Sequence, residues 1–358
     1  MPSRYVLSPF LRLHFVPDGI IAESFITHAD TLLGADTAVE FLNFLREPHS
    51  LEEIKVWSLP ALEDGEISDL LSDGVLVETD DPIINNLSAV RAAWSHSSWD
   101  AAFYFNWATR NYKFLDYGEA NALEVDASMM ESYRLLDPMP SNFKRYPGDP
   151  IKFPASLPNS SAVSLSRVVR LEKYNEPKSR SVAFSDLGTV LFCAAGMIGE
   201  KTWPGQGSFI RRTVPSGGAR HPTEIYIANL GIPEIPVGVY HYNVEHHGLD
   251  KLEKLDSLSE LQTKIENAIS DIRDRVRFRP QAVLILTSML ERSMWRYRDS
   301  RSYRVILIDV GHVMMNFRCC CESLGLSYFC GHGFIDSEIT DIFNIESTAE
   351  IPLFVTMI

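Results

Sequence analysis

The sequence predicts an α+β protein: a sheet flanked by helices, preceded by a small winged-helix-like domain. Four strand-like runs, 224–228, 238–242, 282–287 and 351–358, alternate with segments of helical spacing. A glycine turn, Pro215-Ser216-Gly217-Gly218-Ala219, runs straight into the first of them. Over residues 1–85, three short helical patterns precede a Val75-Leu76-Val77 strand, the element order of a winged helix.

Hydrophobic residues make up 45% of the 358 and charged residues 22%, proportions suited to a globular chain with a sizeable core. A formal net charge of −14 argues against general nucleic-acid binding, which draws on basic patches and counterion release. No apolar run is long enough to predict a membrane span, and the N-terminus lacks a signal-peptide core. The expected location is the cytoplasm, with neither membrane nor nucleic acid as a partner. Cys193, Cys319, Cys320, Cys321 and Cys330 have no paired spacing, and three consecutive cysteines cannot face one metal from a helix. They read as structural thiols, and no metal site is expected.

Residues 1–85 form the first predicted domain. Runs 11–15 and 20–26 flank Pro17-Asp18-Gly19, a turn signal that pairs them as a hairpin. Val39, Leu42 and Leu45 have helical spacing after Asp36, a candidate N-cap. Ser50-Leu51-Glu52-Glu53 is a capping-box pattern that opens a second helix, and a third spans 66–72. Between Leu51 and Asp81 ten acids face one base, Lys55, the reverse of a DNA-reading winged helix.

Asp81-Pro82 reads as a boundary, and residues 86–160 as a helical segment with a proline-rich linker. The helical pattern over 88–135 is rich in aromatics, including Trp94, Trp99 and Trp107, which read as core or interface. Pro138, Pro140, Pro147, Pro150, Pro154 and Pro158 then exclude a helix.

The main domain takes 161–358. Phe184-Ser185-Asp186-Leu187 opens a helix that Gly196 ends, and a basic loop, Pro177-Lys178-Ser179-Arg180-Ser181, precedes it. Such a loop ahead of a helix N-terminus suits a phosphate. In the 215–219 turn, two adjacent glycines admit positive φ and close approach of a flat or anionic ligand, and Arg211, Arg212 and Arg220 add charge around it. His241, His246 and His247 have no carboxylate or thiol spaced to complete a metal site, and read as a polar hairpin. Helices are expected over 252–272, 305–322 and 336–342. A second glycine loop, Gly331-His332-Gly333-Phe334, lies between the last two.

In that order, the Ser-Arg loop, the Pro-Ser-Gly-Gly-Ala turn with Pro222 and Glu224, and the Tyr240-His241-Tyr242 strand resemble the nitroreductase-like flavoproteins. So do Trp295-Arg296-Tyr297, Gly311-His312 with Asn316, and the second glycine loop. Within that superfamily the chain is similar to the SagB/ThcOx-type dehydrogenases, which include the azoline oxidases of ribosomal peptide pathways. The resemblance covers about 163–358. The N-terminal domain resembles the PqqD-like peptide-recognition winged helix, which adds a leader peptide as a strand at its sheet edge.

The resemblance implies a nitroreductase-like sheet and FMN as cofactor. Ser179 and Arg180 would sit near the FMN phosphate, with Arg301 and Arg304 as further candidates. Pro215, Ser216, Gly217 and Gly218 would line the isoalloxazine, with backbone N–H groups near its N5 and O4. Gly331, His332 and Gly333 would close over it. A homodimer with the flavin at the subunit interface is also implied, as is a partner cyclodehydratase or other biosynthetic enzyme.

Azoline oxidation sends a hydride to flavin N5 and a proton to a base. The Lys-Tyr pair implicated in azoline oxidases falls here at Arg296 and Tyr297. A lysine can be desolvated into a base, whereas a guanidinium stays charged. Arg296 can orient a carbonyl or stabilise developing negative charge, and Tyr297 can carry the proton. The resemblance implies dehydrogenation of a thiazoline or oxazoline in a ribosomally made peptide. Reduction of a dehydroamino acid, and a non-catalytic peptide-binding scaffold, are the alternatives.

Overall fold

The computed structural model describes residues 3–34, 37–57, 62–111, 114–154, 165–177, 180–203, 207–252 and 257–358. The chain divides into two compact units, Met1–Lys113 and Phe114–Ile358. The N-cap expected at Asp36 and the site residue Ser179 lie outside the described residues.

The first unit begins with β1 (Tyr5–Leu7). A meander of β2 (Leu11–Val16), β3 (Gly19–Ser24) and β4 (Asp30–Gly34) follows, then α1 (Ala38–Phe44), α2 (Leu51–Lys55) and α3 (Asp64–Ser72). β5 (Leu76–Glu78) returns to pair with β1. The β2–β3 hairpin turns at Pro17-Asp18, pairing Val16 with Gly19. The capping box of α2 forms: Ser50 Oγ accepts from the Glu53 N–H, and the Glu53 carboxylate accepts from the Ser50 N–H at 2.7 Å. Helices α4 (Pro82–His96) and α5 (Asp100–Ala108) bury Ile84, Leu87 and Phe103 with Phe10, Phe25 and Val77. Asp81 and Pro82, a boundary by sequence, therefore start a helix of this unit. The Asp81 carboxylate accepts from the Ile83 N–H at 2.7 Å, and proline at the first helical position lacks a donor the helix does not need.

In the second unit α6 (Ala122–Leu136) leads into the proline-rich passage, which contains β6 (Ile151–Lys152) and whose last expected proline, Pro158, lies outside the described residues. The elements that follow are α7 (Leu165–Arg170), α8 (Phe184–Ala195) and the hairpin β7 (Met197–Trp203) and β8 (Gly207–Arg212). Next come β9 (Thr223–Asn229), β10 (Gly238–Asn243), β11 (Gly248–Lys251), α9 (Leu258–Ala268), α10 (Asp271–Asp274) and β12 (Ala282–Met289). The chain closes with α11 (Leu290–Met294), α12 (Ser302–Leu324), β13 (Phe329–Gly331), α13 (Asp336–Phe343) and β14 (Glu350–Met357).

Seven strands form one antiparallel sheet in the order β13-β14-β12-β9-β10-β11-β6. Its central strands β9 and β10 are buried along their whole length because helices cover both faces. Leu187 and Leu191 of α8 and Val310, Val313 and Phe317 of α12 pack one face. Leu261 and Ile265 of α9 and Ile339 and Phe343 of α13 pack the other.

Three expectations change. The single helix expected over 252–272 is shorter, because Ser257 caps α9 by accepting the Glu260 N–H at 3.1 Å and Ile269 is extended. The proline-rich linker joins the sheet as an edge strand, where a proline neighbour interrupts no central ladder. The β7–β8 hairpin had no sequence signal. Helix α12 is longer than expected, and ends at Gly325 in the left-handed region with φ 68°. Among the described residues no helix is long and apolar enough to cross a membrane.

Candidate active site

Between β8 and β9 the chain folds into a single 3-10 turn, Gly217–Ala219, with Gly218 at φ 57°. Helix α12 holds this turn. Ser216 Oγ donates to Asp309 Oδ2 at 2.6 Å, and the Gly217 N–H donates to Oδ1 at 3.3 Å. Burial pushes the Asp309 carboxyl up, and these two donors pull it back. Ser216 Oγ also accepts the His221 N–H at 2.8 Å. Both glycines are required by neighbours. A Cβ on Gly217 would lie 2.3 Å from Val305, and one on Gly218 1.9 Å from the Tyr297 hydroxyl. The turn and Tyr297, some eighty residues apart in sequence, therefore meet.

Beside them Arg296 lies 5.3 Å from the centre of the Tyr297 ring and pairs with Asp126, a buried carboxylate of α6. Sequence reasoning missed Asp126; its only signal was an acid on the apolar face of a helix. Arg220 is 8% exposed. Its guanidinium lies 4.7 Å from the Phe209 ring centre and 5.8 Å from that of Trp295, and makes no hydrogen bond to the described residues. Burial pulls it down to about 10. The backbone N–H groups expected to face a flavin are largely engaged within the turn. That of Gly217 goes to Asp309, that of Ala219 to the Ser216 carbonyl and that of Arg220 to the Gly217 carbonyl.

Arg301 and Arg304 stand at the same end of α12 as the turn, Arg301 over the Phe114 ring at 5.5 Å. Arg180 stands at the opposite end. Arg180 donates to both oxygens of Asp186, at 2.7 and 3.1 Å, and to the Leu324 carbonyl at 3.1 Å. Gly331 closes β13, where a Cβ would lie 2.9 Å from Asp271 Oδ2; Gly333 also faces Asp271. His332 lines a cleft of about 570 Å³ with Tyr174, Asn175, Asp271, Arg275 and Phe329. Val305, under the turn, and Leu324, under Arg180, are nineteen residues apart on α12, roughly 29 Å along the helix axis. Within one chain, then, Arg180 does not converge with Arg301 and Arg304.

Beneath the turn lies a buried polar network. The Glu224 carboxylate accepts from Arg292 and lies 2.8 Å from His241 Nε2 and 3.9 Å from Arg212. Burial alone would raise its pKa, yet Arg292, His241 and Arg212 hold it well below the usual carboxylate range. Arg292 also donates to the Ser141 carbonyl at 2.9 Å and the His221 carbonyl at 3.0 Å. His241 Nδ1 is 3.6 Å from Asp250, and the two carboxylates beside it hold the ring's pKa up against burial. Strand β10, which bears His241, is thus fully buried. Its acids come from adjacent strands, which spacing along one strand does not reveal. His221 is pulled down to about 3 by burial and by Arg212.

The nitroreductase family matches residues 178–357, half of the chain. The trifolitoxin-processing protein TfxB of Rhizobium leguminosarum bv. trifolii is 32% identical over 262 residues, 69% of this chain and 65% of its own length. A protein of Methanocaldococcus jannaschii that carries the name of a nitroreductase is 30% identical over 198 residues, 55% of this chain and 91% of its own length. The microcin B17-processing protein McbC of Escherichia coli is 26% identical over 156 residues, 42% of this chain and 55% of its own length. The chain thus spans just under two thirds of the trifolitoxin-processing protein and about half of McbC.

Proposed function

The chain belongs to the nitroreductase family, and on that premise we propose that it is an FMN-dependent oxidoreductase of ribosomal peptide maturation. Its reaction is dehydrogenation of a thiazoline or oxazoline to the azole. The observation that carries this reading is the contact of the Ser216–Gly218 turn with Tyr297, beside a buried arginine, Arg220, whose Nε has no hydrogen-bond partner among the described residues. That donor set fits a planar ring bearing carbonyl oxygens. Similarity to two peptide-processing proteins supplies the substrate class.

Bound FMN would supply a hydride acceptor at N5. Pro215, Ser216, Gly217 and Gly218 hold its ring, and Tyr297 takes or gives the proton at its hydroxyl. Arg296, kept in place by Asp126, faces the reacting group as a cation and stabilises negative charge developing on it. The separation of Arg180 from Arg301 and Arg304 along α12 supports a homodimer, in which a second copy brings its own glycine loop to the turn. Arg180, with Ser179, serves the phosphate from that second copy, or Arg301 and Arg304 serve it from the first. Leu307 and Ile308 on the exposed side of α12 suit such an interface.

The N-terminal unit captures the leader peptide by strand addition. Its edge strand β2 exposes Leu13 and Phe15, the latter 79% accessible. In a multienzyme assembly a cyclodehydratase would deliver the azoline. Phe15→Asp is expected to weaken peptide binding while flavin stays bound; unchanged affinity would remove the edge from the account.

The second reading is reduction of a dehydroamino acid, favoured by Arg296 standing where azoline oxidases carry a lysine. Mass spectrometry of the peptide after turnover decides: loss of two hydrogens supports dehydrogenation, gain of two supports reduction. An unchanged mass would leave a peptide-binding scaffold. Tyr297→Phe should lower turnover at least tenfold with flavin retained; full turnover would exclude its hydroxyl.

A further inference from the structure

Arg220, beside the turn, is a feature that the fold does not account for. Its side chain is more than nine-tenths buried, and its Nε is enclosed with no hydrogen-bond partner. Two aromatic rings, Phe209 and Trp295, flank the guanidinium. Cation–π attraction offsets part of the desolvation cost but satisfies none of the five N–H donors. Buried guanidiniums in proteins are paired as a rule, because an unpaired one forfeits its hydration for nothing. The nearby carboxylate, Asp126, pairs with Arg296 and acts on Arg220 only through its charge. Elsewhere in the same unit Arg292 donates to Ser141, His221 and Glu224. The chain can therefore pair a buried arginine, and at this position it does not.

The location narrows what Arg220 awaits. It follows Gly218 by two residues, and Gly218 closes against the Tyr297 hydroxyl. The N–H groups of Gly217, Ala219 and Arg220 itself are engaged within the protein. A ligand oxygen arriving at this turn thus finds the Arg220 side chain as a charged donor, near the Tyr297 hydroxyl.

We propose that Arg220 is an oxyanion-binding residue: it takes an oxygen that carries, or acquires, negative charge on a ligand lying over the 216–219 turn. Two ligands present that chemistry. A reduced flavin bears negative charge on its pyrimidine edge, and a peptide substrate bears carbonyl and carboxylate oxygens. The identity of the ligand rests on the proposed flavin chemistry; the binding of an oxyanion does not.

The test compares the purified full-length protein with Arg220→Met, which keeps an apolar stem between the two rings, and Arg220→Lys, which keeps the charge. Benzoate is the probe, titrated by tryptophan fluorescence with Trp295 as the nearby reporter. The expected result is binding in the wild type, weakened about tenfold or more in Arg220→Met and partly restored in Arg220→Lys. Equal binding by wild type and Arg220→Met, or none by the wild type, overturns the proposal. In flavin-loaded protein the source of the oxygen is read separately. A more negative flavin midpoint potential in Arg220→Met, with unchanged KM for peptide, assigns it to the flavin. A tenfold higher KM at unchanged potential assigns it to the peptide. No change in either overturns the proposal even if benzoate binds. A wild type that binds benzoate and no flavin sinks the proposed function alone. Should Arg220→Met fail to fold by circular dichroism, Arg220→Lys carries the test, and loss of the charge geometry must still shift one of the three readouts.

Discussion

Arg292 and Arg220 are buried in the same unit, one beneath the turn and one beside it, and the chain treats them in opposite ways. Arg292 has two backbone carbonyls and the Glu224 carboxylate, and Glu224 is shared further with His241. Arg220 has two aromatic faces and no acceptor. The first region ties β9, β10, α11 and the 137–146 passage together, although Arg212 Nε and His241 Nδ1 within it are also enclosed without a hydrogen-bond partner among the described residues. The second, on the proposal above, keeps its donors for something that binds. Burial and residue type are alike at the two arginines, and what differs is the number of acceptors that each guanidinium has.

The largest effect that can break this comparison is at Glu224. Glu224→Gln leaves Arg292, Arg212 and His241 around an uncharged amide, and should destabilise the protein by about 3–5 kcal/mol in urea unfolding. Arg220→Met, read in the same experiment, should change stability by less than about 1 kcal/mol or raise it, because removing an unpaired buried charge relieves desolvation. Similar losses for the two variants would mean that Arg220 is structural after all.

A smaller loss is expected at the turn. Gly218→Ala places a side chain at φ 57° and drives its Cβ into the Tyr297 hydroxyl. About 1–3 kcal/mol of stability should be lost, with Tyr297 displaced and turnover reduced. Turnover at the wild-type rate would show that this contact is incidental to the chemistry.

Acid sharpens the contrast further. His221 has its pKa lowered from 6.5 to about 3, so between those values the unfolded chain holds a proton that the folded chain refuses. Stability should therefore fall as pH drops from 6.5, by about 1.4 kcal/mol per pH unit. His241 is raised and acts in the other direction: its contribution is full below 6.5 and is lost as pH rises through its folded value. His221→Asn should flatten the acid limb between pH 4.5 and 6.5, a window above the ordinary range of Glu224. An unaltered slope would place the acid sensitivity elsewhere.

Much of this arrangement was legible in the sequence, and the remainder was hidden for a definable reason. The glycine turn, strands β9, β10, β12 and β14, and α12 all carry local patterns: adjacent glycines, β-branched runs and helical spacing. Arg296, Tyr297 and the turn were each visible from their order along the chain. What was not visible is pairing across distance. Asp126 reaches Arg296 from 170 residues away, and Asp250 and Glu224 reach His241 only through strand register. Nor could the sequence reveal that Arg180 and Arg301 stand at opposite ends of one long helix. The missing partner of Arg220 was likewise invisible, because an absence of acceptors is a property of packing and not of composition.

That separation makes the central claim directly testable. Size-exclusion chromatography of the purified protein, with protein and flavin absorbance followed together, reads cofactor and assembly at once. The account predicts flavin absorbance coeluting with a dimer of the chain. A colourless protein that takes up no added FMN, or flavin carried by a monomer, would contradict it.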